Sequence, residues 1–163
     1  MSTTGNPTPT LDVTLPSDHE IVMTRVFDAP RRLLWEAHTN PEHVRRWLLG
    51  PPGYSMPVCE IDLRPGGDWR YVWRGEDGTE MKTGGKTLEV VVPERLVQTE
   101  CWEMGSDCSH NTLLLMEEDG RTTLSQRMRF PTPEIRDMVL QTGMADGVGM
   151  SYDRLAELLP SLA

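Results

Sequence analysis

PEIRDMVLQTGMADGVGMSYDRLAELL, residues 133–159, is the stretch on which the rest of the chain is organised. Thr132 ahead of it is a good N-cap. Pro133 suits the first helical position, and Glu134 and Asp137 bring negative charge to the first turn. Ile135, Met138, Val139, Thr142, Ala145, Val148, Tyr152, Leu155, Ala156 and Leu159 then recur at spacings of three and four. That periodicity predicts one helix of roughly 40 Å, at about 1.5 Å per residue, with a single apolar stripe. Such a stripe needs a broad partner surface, and the strands upstream are the only candidate. Gly143, Gly147 and Gly149 interrupt it, each costing about 1 kcal/mol against alanine in a helix interior. They point to a bend, or to close approach of something lying beneath. The expectation is a curved antiparallel sheet gripping this helix, with a cavity between them.

Upstream the period changes to two. His19 to Phe27 alternates, with Ile21, Met23 and Arg25 on one face, as a first strand does. Asp28 is placed to cap a short helix carrying Leu33, Leu34 and Ala37, and Asn40-Pro41 to start a second with Val44, Trp47 and Leu48. Residues 48–54 hold too much Pro and Gly for anything but a loop. A meander follows: Val58 to Leu63, then a strand with Trp69, Tyr71 and Trp73 on one face, then strands near Met81 to Val92, Leu96 to Met104, Ser109 to Glu117 and Thr122 to Phe130. Asp77-Gly78 and Asp119-Gly120 are hairpin signals, and Gly84-Gly85 inside a strand suggests a bulge or a sharp bend. This order gives an α+β fold with helices on one side of an antiparallel sheet. Residues 1–17 read as a flexible tail and 18–163 as one domain.

Composition narrows the function classes. A net charge of −9 argues against a nucleic-acid or anionic-membrane partner. No apolar run is long enough to span a bilayer, and Met1 to Leu11 have neither the basic start nor the apolar core of a secretory signal. Cys59, Cys101 and Cys108 are odd in number with no CxxC pair, which argues against a disulfide framework and a zinc site. By elimination the expected compartment is a reducing, bacterial-type cytoplasm. His19, His38, His43 and His110 show no ligand spacing, and no GxSxG or phosphate loop is present. The expectation is therefore no metal and no cofactor.

Four segments carry a resemblance: FDAPRRLLWEAHTNPEHVRRW (27–47), DLRPGGDWRYVWRGEDG (62–78), VVPERLVQTECW (91–102) and GMADGVGMSYDRLAELL (143–159). In order and spacing they resemble the helix-grip fold of the START-like (SRPBCC) superfamily. Within it, the chain is similar to the heat-shock chaperone ATPase activator homologue-like proteins. Val148 stands where many of that family carry a tryptophan. The resemblance implies a hydrophobic cavity between sheet and closing helix, in a superfamily that includes lipid carriers and polyketide cyclases.

The candidate site follows from that cavity and from the faces of the strands. Trp69, Tyr71 and Trp73, with Trp102 and Met128 alongside, form either a cavity wall or a packed core. Gln98, Glu100 and Gln126 share faces with these residues, and each needs a hydrogen-bond partner if that face is concave. Glu100 is then either a buried acid or base, or a solvated or arginine-paired carboxylate. Met138 and Tyr152 complete the set from the helix stripe, and Trp47 and Tyr54 from an insert expected to act as a flap over the mouth. The leading expectation is a carrier or sensor, with a stress-related role open, for a small hydrophobic or amphipathic ligand. Next comes a cyclase-, dehydratase- or hydrolase-like enzyme using Glu100 or Tyr71 as proton carrier. A chaperone partner ranks last. The protein is expected to be a monomer or homodimer that does not insert in a membrane.

Overall fold

The computed structural model describes residues 11–102 and 107–163. Eight strands form one antiparallel sheet in the order β1-β2-β8-β7-β6-β5-β4-β3. They are β1 (Asp12–Thr14), β2 (Glu20–Phe27), β3 (Ser55–Ile61), β4 (Asp68–Arg74), β5 (Glu80–Val91), β6 (Arg95–Trp102), β7 (Cys108–Glu118) and β8 (Arg121–Arg129). Two helices, α1 (Arg31–Thr39) and α2 (Pro41–Trp47), carry the chain from β2 across to β3 at the far edge. Two more, α3 (Pro133–Gln141) and α4 (Met144–Leu162), follow β8. This is the expected α+β arrangement. The short strand β1 lies within the stretch read as tail and pairs with β2; residues 1–10 of that stretch lie outside the described residues.

Two of the three expected helix caps form. Asn40 accepts from the Glu42 N–H at 3.0 Å, and Thr132 Oγ1 accepts from the Ile135 N–H at 3.2 Å. Asp28 does not cap α1, because the helix starts later, at Arg31 after Pro30, with no side-chain cap. The single closing helix expected over 133–159 is in fact two. Gly143 adopts φ +77°, in the left-handed region, and α4 starts afresh from it. Of the stripe, only the part on α4 is deeply buried, through Tyr152, Leu155 and Leu159, while α3 has no fully buried residue.

The inner face of the sheet is set by strand parity. Ile21, Met23, Arg25 and Phe27 of β2 all point inward and are buried. Arg25 is only 5% exposed. It is bound to Asp153 of α4 at 2.8 Å, with its guanidinium 5.0 Å from the Phe27 ring centre. The apolar interior falls into three clusters. The largest joins Phe27, Leu34, Trp47, Leu115, Leu124 and Leu155; a second holds Ile21, Met23, Met128 and Phe130; a third holds Val44, Met56 and Cys59, with Tyr71 and Trp73 against it.

The Gly84-Gly85 pair is a place of close approach. The register shift of β5 against β6 comes later, between Thr87 and Glu89. A Cβ on Gly85 would lie 2.1 Å from the Thr99 carbonyl oxygen, and one on Gly84 2.6 Å from the Trp69 carbonyl oxygen. The Thr99 carbonyl instead accepts from the Trp69 indole at 3.0 Å, and the Thr99 hydroxyl accepts from the Lys86 N–H at 2.9 Å. An open groove of about 790 Å³ lies beside this pair, lined by Arg70, Lys82, Lys86, Thr99 and Cys101 together with Trp69, Thr83 and Trp102.

A second correction concerns the cysteines. Cys101 and Cys108 face each other across β6 and β7 and form a disulfide, leaving Cys59 as the free cysteine among the described residues. No helix among the described residues is long and apolar enough to cross a membrane.

The glycines give a test with opposite signs. Gly85→Ala should destabilise by about 3 kcal/mol through forced overlap with Thr99, and Gly143→Ala by about 1–2 kcal/mol through its left-handed backbone. Gly149→Ala, with open space around it, should stabilise by about 1 kcal/mol. Urea titrations of the three variants check this; equal shifts at positions 85 and 149 would refute the close approach.

Candidate functional site

The alternation of β4 puts Trp69, Tyr71 and Trp73 on the inner face, where they form a continuous row. Ring centres are 4.8 Å apart from Trp69 to Tyr71 and 5.8 Å from Tyr71 to Trp73. Trp102 of β6 extends the row, its ring centre 5.7 Å from that of Trp73 with 19° between the planes. Trp102 is 42% exposed and marks the outer end of the row. The Trp73 indole also donates to the Leu48 carbonyl at 2.7 Å, tying the loop after α2 to the sheet. On its other side the same loop is tied to α4, where the Gly50 N–H donates to Ser151 Oγ at 2.8 Å. Gly147 lies beside it, where a Cβ would be in ordinary contact with Pro51 at 3.5 Å.

Next to the rings the inner face turns polar. Asn111 of β7 donates to Glu100 Oε1 at 3.2 Å, and Ser109 donates to Asn111 Oδ1 at 2.8 Å. Gln98 donates to Thr87 Oγ1 at 3.3 Å, and Thr83 to the Cys101 carbonyl at 3.0 Å. Met128 pairs with Asn111 across β7 and β8, so it borders this polar band from the apolar side. Gln126, opposite Leu113, is half-buried on the same inner face.

Burial raises the Glu100 carboxyl above its ordinary value of 4.5, while the Asn111 amide and the Trp102 indole, which bond its charged form, act in the other direction. Burial likewise pushes the Tyr71 hydroxyl well above the usual tyrosine range, and the neighbouring Cys59 and Glu100 add to that. Burial also pushes the Cys59 thiol up to about 11, which leaves it a poor nucleophile. Tyr71 and Glu100 nevertheless keep accessible surface. Side chains closed in by protein yet still accessible are placed as cavity-lining groups are.

Four of the expected residues lie elsewhere. Trp47 is 2% exposed, donates to the Ala37 carbonyl at 2.8 Å and packs on His38 and Tyr152. Tyr152 sits between Phe27 and Trp47. Both belong to the core where α1, α2 and α4 meet. Met138 is 63% exposed, because the break at Gly143 takes α3 away from the line of α4. Tyr54 is half-buried beside Gly75, at the turn after β4. Ser109, Asn111 and Ser151 were not among the expected site residues. The alternation Ser109, Asn111, Leu113, Leu115 carries the signal for the first two; nothing local marks Ser151.

A family profile described as Activator of Hsp90 ATPase homolog 1-like protein matches residues 28–160. The chain belongs to that family. Its fold, of START/SRPBCC helix-grip type, is one that commonly binds hydrophobic ligands. Among solved structures it resembles a protein from Rhodobacter sphaeroides at 28% identity, covering 93% of this chain and 99% of the other, with TM-score 0.89. A protein from Mycobacterium smegmatis matches at 26% identity over 93% and 97% of the two chains, with TM-score 0.82. A Plasmodium falciparum protein described as an HSP90 activator shares 19% identity over 68% and 72%, with TM-score 0.52, a likeness of fold alone. No curated protein matches the sequence.

The raised Glu100 carboxyl has a definite signature in stability. The unfolded chain ionises Glu100 near pH 4.5, while the folded chain holds the proton to higher pH. Across that interval the unfolded state binds fewer protons, so stability falls as pH rises. Glu100→Gln removes this slope. Urea midpoints of wild type and variant, taken from about pH 4 to about pH 8, should diverge in the variant's favour as pH rises; parallel curves would count against a buried carboxyl.

Proposed function

We propose that this protein holds a small apolar or amphipathic molecule between the aromatic row of β4 and β6, the polar band of β6 and β7, and α4, as a carrier or sensor. One observation carries the reading: Tyr71 and Glu100 are enclosed enough for burial to disfavour their ionisation, yet both keep accessible surface. A well-filled core leaves no such surface on its polar groups. Rings along one wall with a few convergent polar atoms are the usual lining of a site for a compact, mostly apolar ligand. Of the insert from Trp47 to Tyr54 read as a flap over the mouth, Trp47 lies in the core; the bonds of Leu48 to β4 and Gly50 to α4 support that role for the loop that follows it.

The same geometry favours a second reading in one respect. A carboxyl raised above its ordinary range, close enough to act on a tyrosine hydroxyl, is better suited to general acid chemistry than a free one. A cyclase-, dehydratase- or hydrolase-like reaction in this cavity would then lose turnover in Glu100→Gln, with its pH–rate profile following the Glu100 proton. A chaperone partner ranks third. It rests on the family description and on a relative at 19% identity, and a pull-down recovering no chaperone in stoichiometric amounts dismisses it.

Native mass spectrometry of protein freshly taken from cells should show a reproducible noncovalent adduct. Trp102→Ala should reduce that adduct, or the affinity for a neutral apolar probe such as N-phenyl-1-naphthylamine, by about tenfold, while stability falls by only about 1 kcal/mol, as expected for losing one stacked pair. Unchanged binding in this variant would remove the aromatic row from the site.

A further inference from the structure

The carboxyl of Glu100, on the inner face of the sheet, has no cation acting on it among the described residues: Arg45 of α2 bears on Cys59, and Arg154 of α4 buries one guanidinium nitrogen without a partner, but neither acts on Glu100. Around Glu100 the inward residues are Cys59 on β3, Tyr71 and Trp73 on β4, Thr83 on β5, Trp102 on β6, and Ser109 and Asn111 on β7. None is cationic. Arg70 and Lys82 have the opposite parity and lie on the outer face, Arg70 within 3.7 Å of Glu60. Arg127 is likewise outward and bound to Glu20 at 2.6 Å. Arg25 does point inward, but on β2, where Asp153 and the Phe27 ring hold it. Among the described residues, the groups acting on the Glu100 carboxyl are the Asn111 amide and the Trp102 indole, both neutral.

An enclosed carboxylate with neutral partners alone is costly, and a cation is what would offset that cost. The walls supply the second half of such a site. Trp73 and Trp102 lie nearly parallel, with Tyr71 edge-on to Trp73, and the faces of such rings attract a desolvated cation. A net charge of −9 raises the local concentration of cations over anions near the protein. From these features we infer that the ligand of this site is a cationic amphiphile: a protonated or quaternary amine, set against Glu100 and the indoles of Trp73 and Trp102, on an aromatic or aliphatic body that fills the rest of the space. This rests on the ligand-binding reading above.

The test uses the full chain and three probes of one shape: 1-naphthylmethylamine, 1-naphthylmethanol and 1-naphthoate, titrated calorimetrically near neutral pH. The amine should bind about tenfold more tightly than the alcohol, as a charge-assisted hydrogen bond allows, and the carboxylate most weakly. Glu100→Gln should erase the preference for amine over alcohol while leaving the alcohol's affinity in place. Should that variant not fold, Trp102→Leu, which keeps an apolar surface and removes the ring face, should still narrow the ratio. Equal binding of amine and alcohol by the wild type, or an unchanged ratio in the variants, overturns the cationic ligand and leaves the cavity standing. Binding of none of the three at millimolar concentration overturns both.

Discussion

Two hydrogen bonds on either side of one turn govern the geometry of the interior. Leu48 offers its carbonyl to the Trp73 indole on the sheet, and Gly50 its N–H to Ser151 on α4. Both bonds fall on LeuLeuGlyProProGly, at its first and third residues, a segment with no ladder of its own and little means of holding a shape. Held on both sides there, it acts as a spacer between β4 and α4. Gly147 of α4 lies beside the same segment, where a Cβ would sit in ordinary contact with Pro51. Trp73 therefore does three things at once: it donates to the loop, stacks on Trp102 and meets Tyr71 edge-on. A side chain committed on three sides has few rotamers left, and a rigid wall follows from that commitment.

The polar band explains why the interior is not one continuous core. Ser109, Asn111 and Glu100 form a hydrogen-bonded chain on the inner face, with Leu113 and Met128 beside it on one hand and the rings of β4 on the other. Apolar residues of similar size at these positions would remove the cost of burying a carboxyl. The three apolar clusters lie around this band. Stability alone does not call for such an arrangement. A site that must orient a polar group of a ligand does, which is the physical reason to look for function on this part of the sheet.

The elements that were legible in the sequence are those written in periodicity. Alternation along β2, β4 and β8 grouped the residues of each face, Arg25 with Ile21 and Met23 included, and the hairpin signals separated the strands. What periodicity cannot show is a change of axis. The stripe from Ile135 to Leu159 continues in phase through Gly143, so two helices at an angle read as one, and Met138 read as buried. Register is equally hidden. Cys101 and Cys108 are seven residues apart with no pairing motif, and only the β6–β7 register, which sets them opposite each other, makes them a pair. Residue type misled in a third way. Trp47 and Tyr152 have the look of cavity residues, but the side of α2 and α4 on which they lie is fixed by contacts with other elements: Trp47 with His38 of α1, and Tyr152 with Phe27 of β2, far away in the chain.

The disulfide bears on the site through its neighbour. Trp102 is at the last position of β6, 42% exposed, where the end of a hairpin would ordinarily fray. An exposed indole there gains little from burial, and stacking on Trp73 is worth only about 1 kcal/mol. Cys101, the residue before it, is bonded to Cys108 on β7, so the two strand ends cannot separate while that bond is intact. Trp102 is thereby held over Trp73, and Asn111, three residues beyond Cys108, is kept within reach of Glu100. The covalent link on the outer face thus sets the arrangement of the inner one, and the ring that closes the aromatic row stays in place without having to be buried.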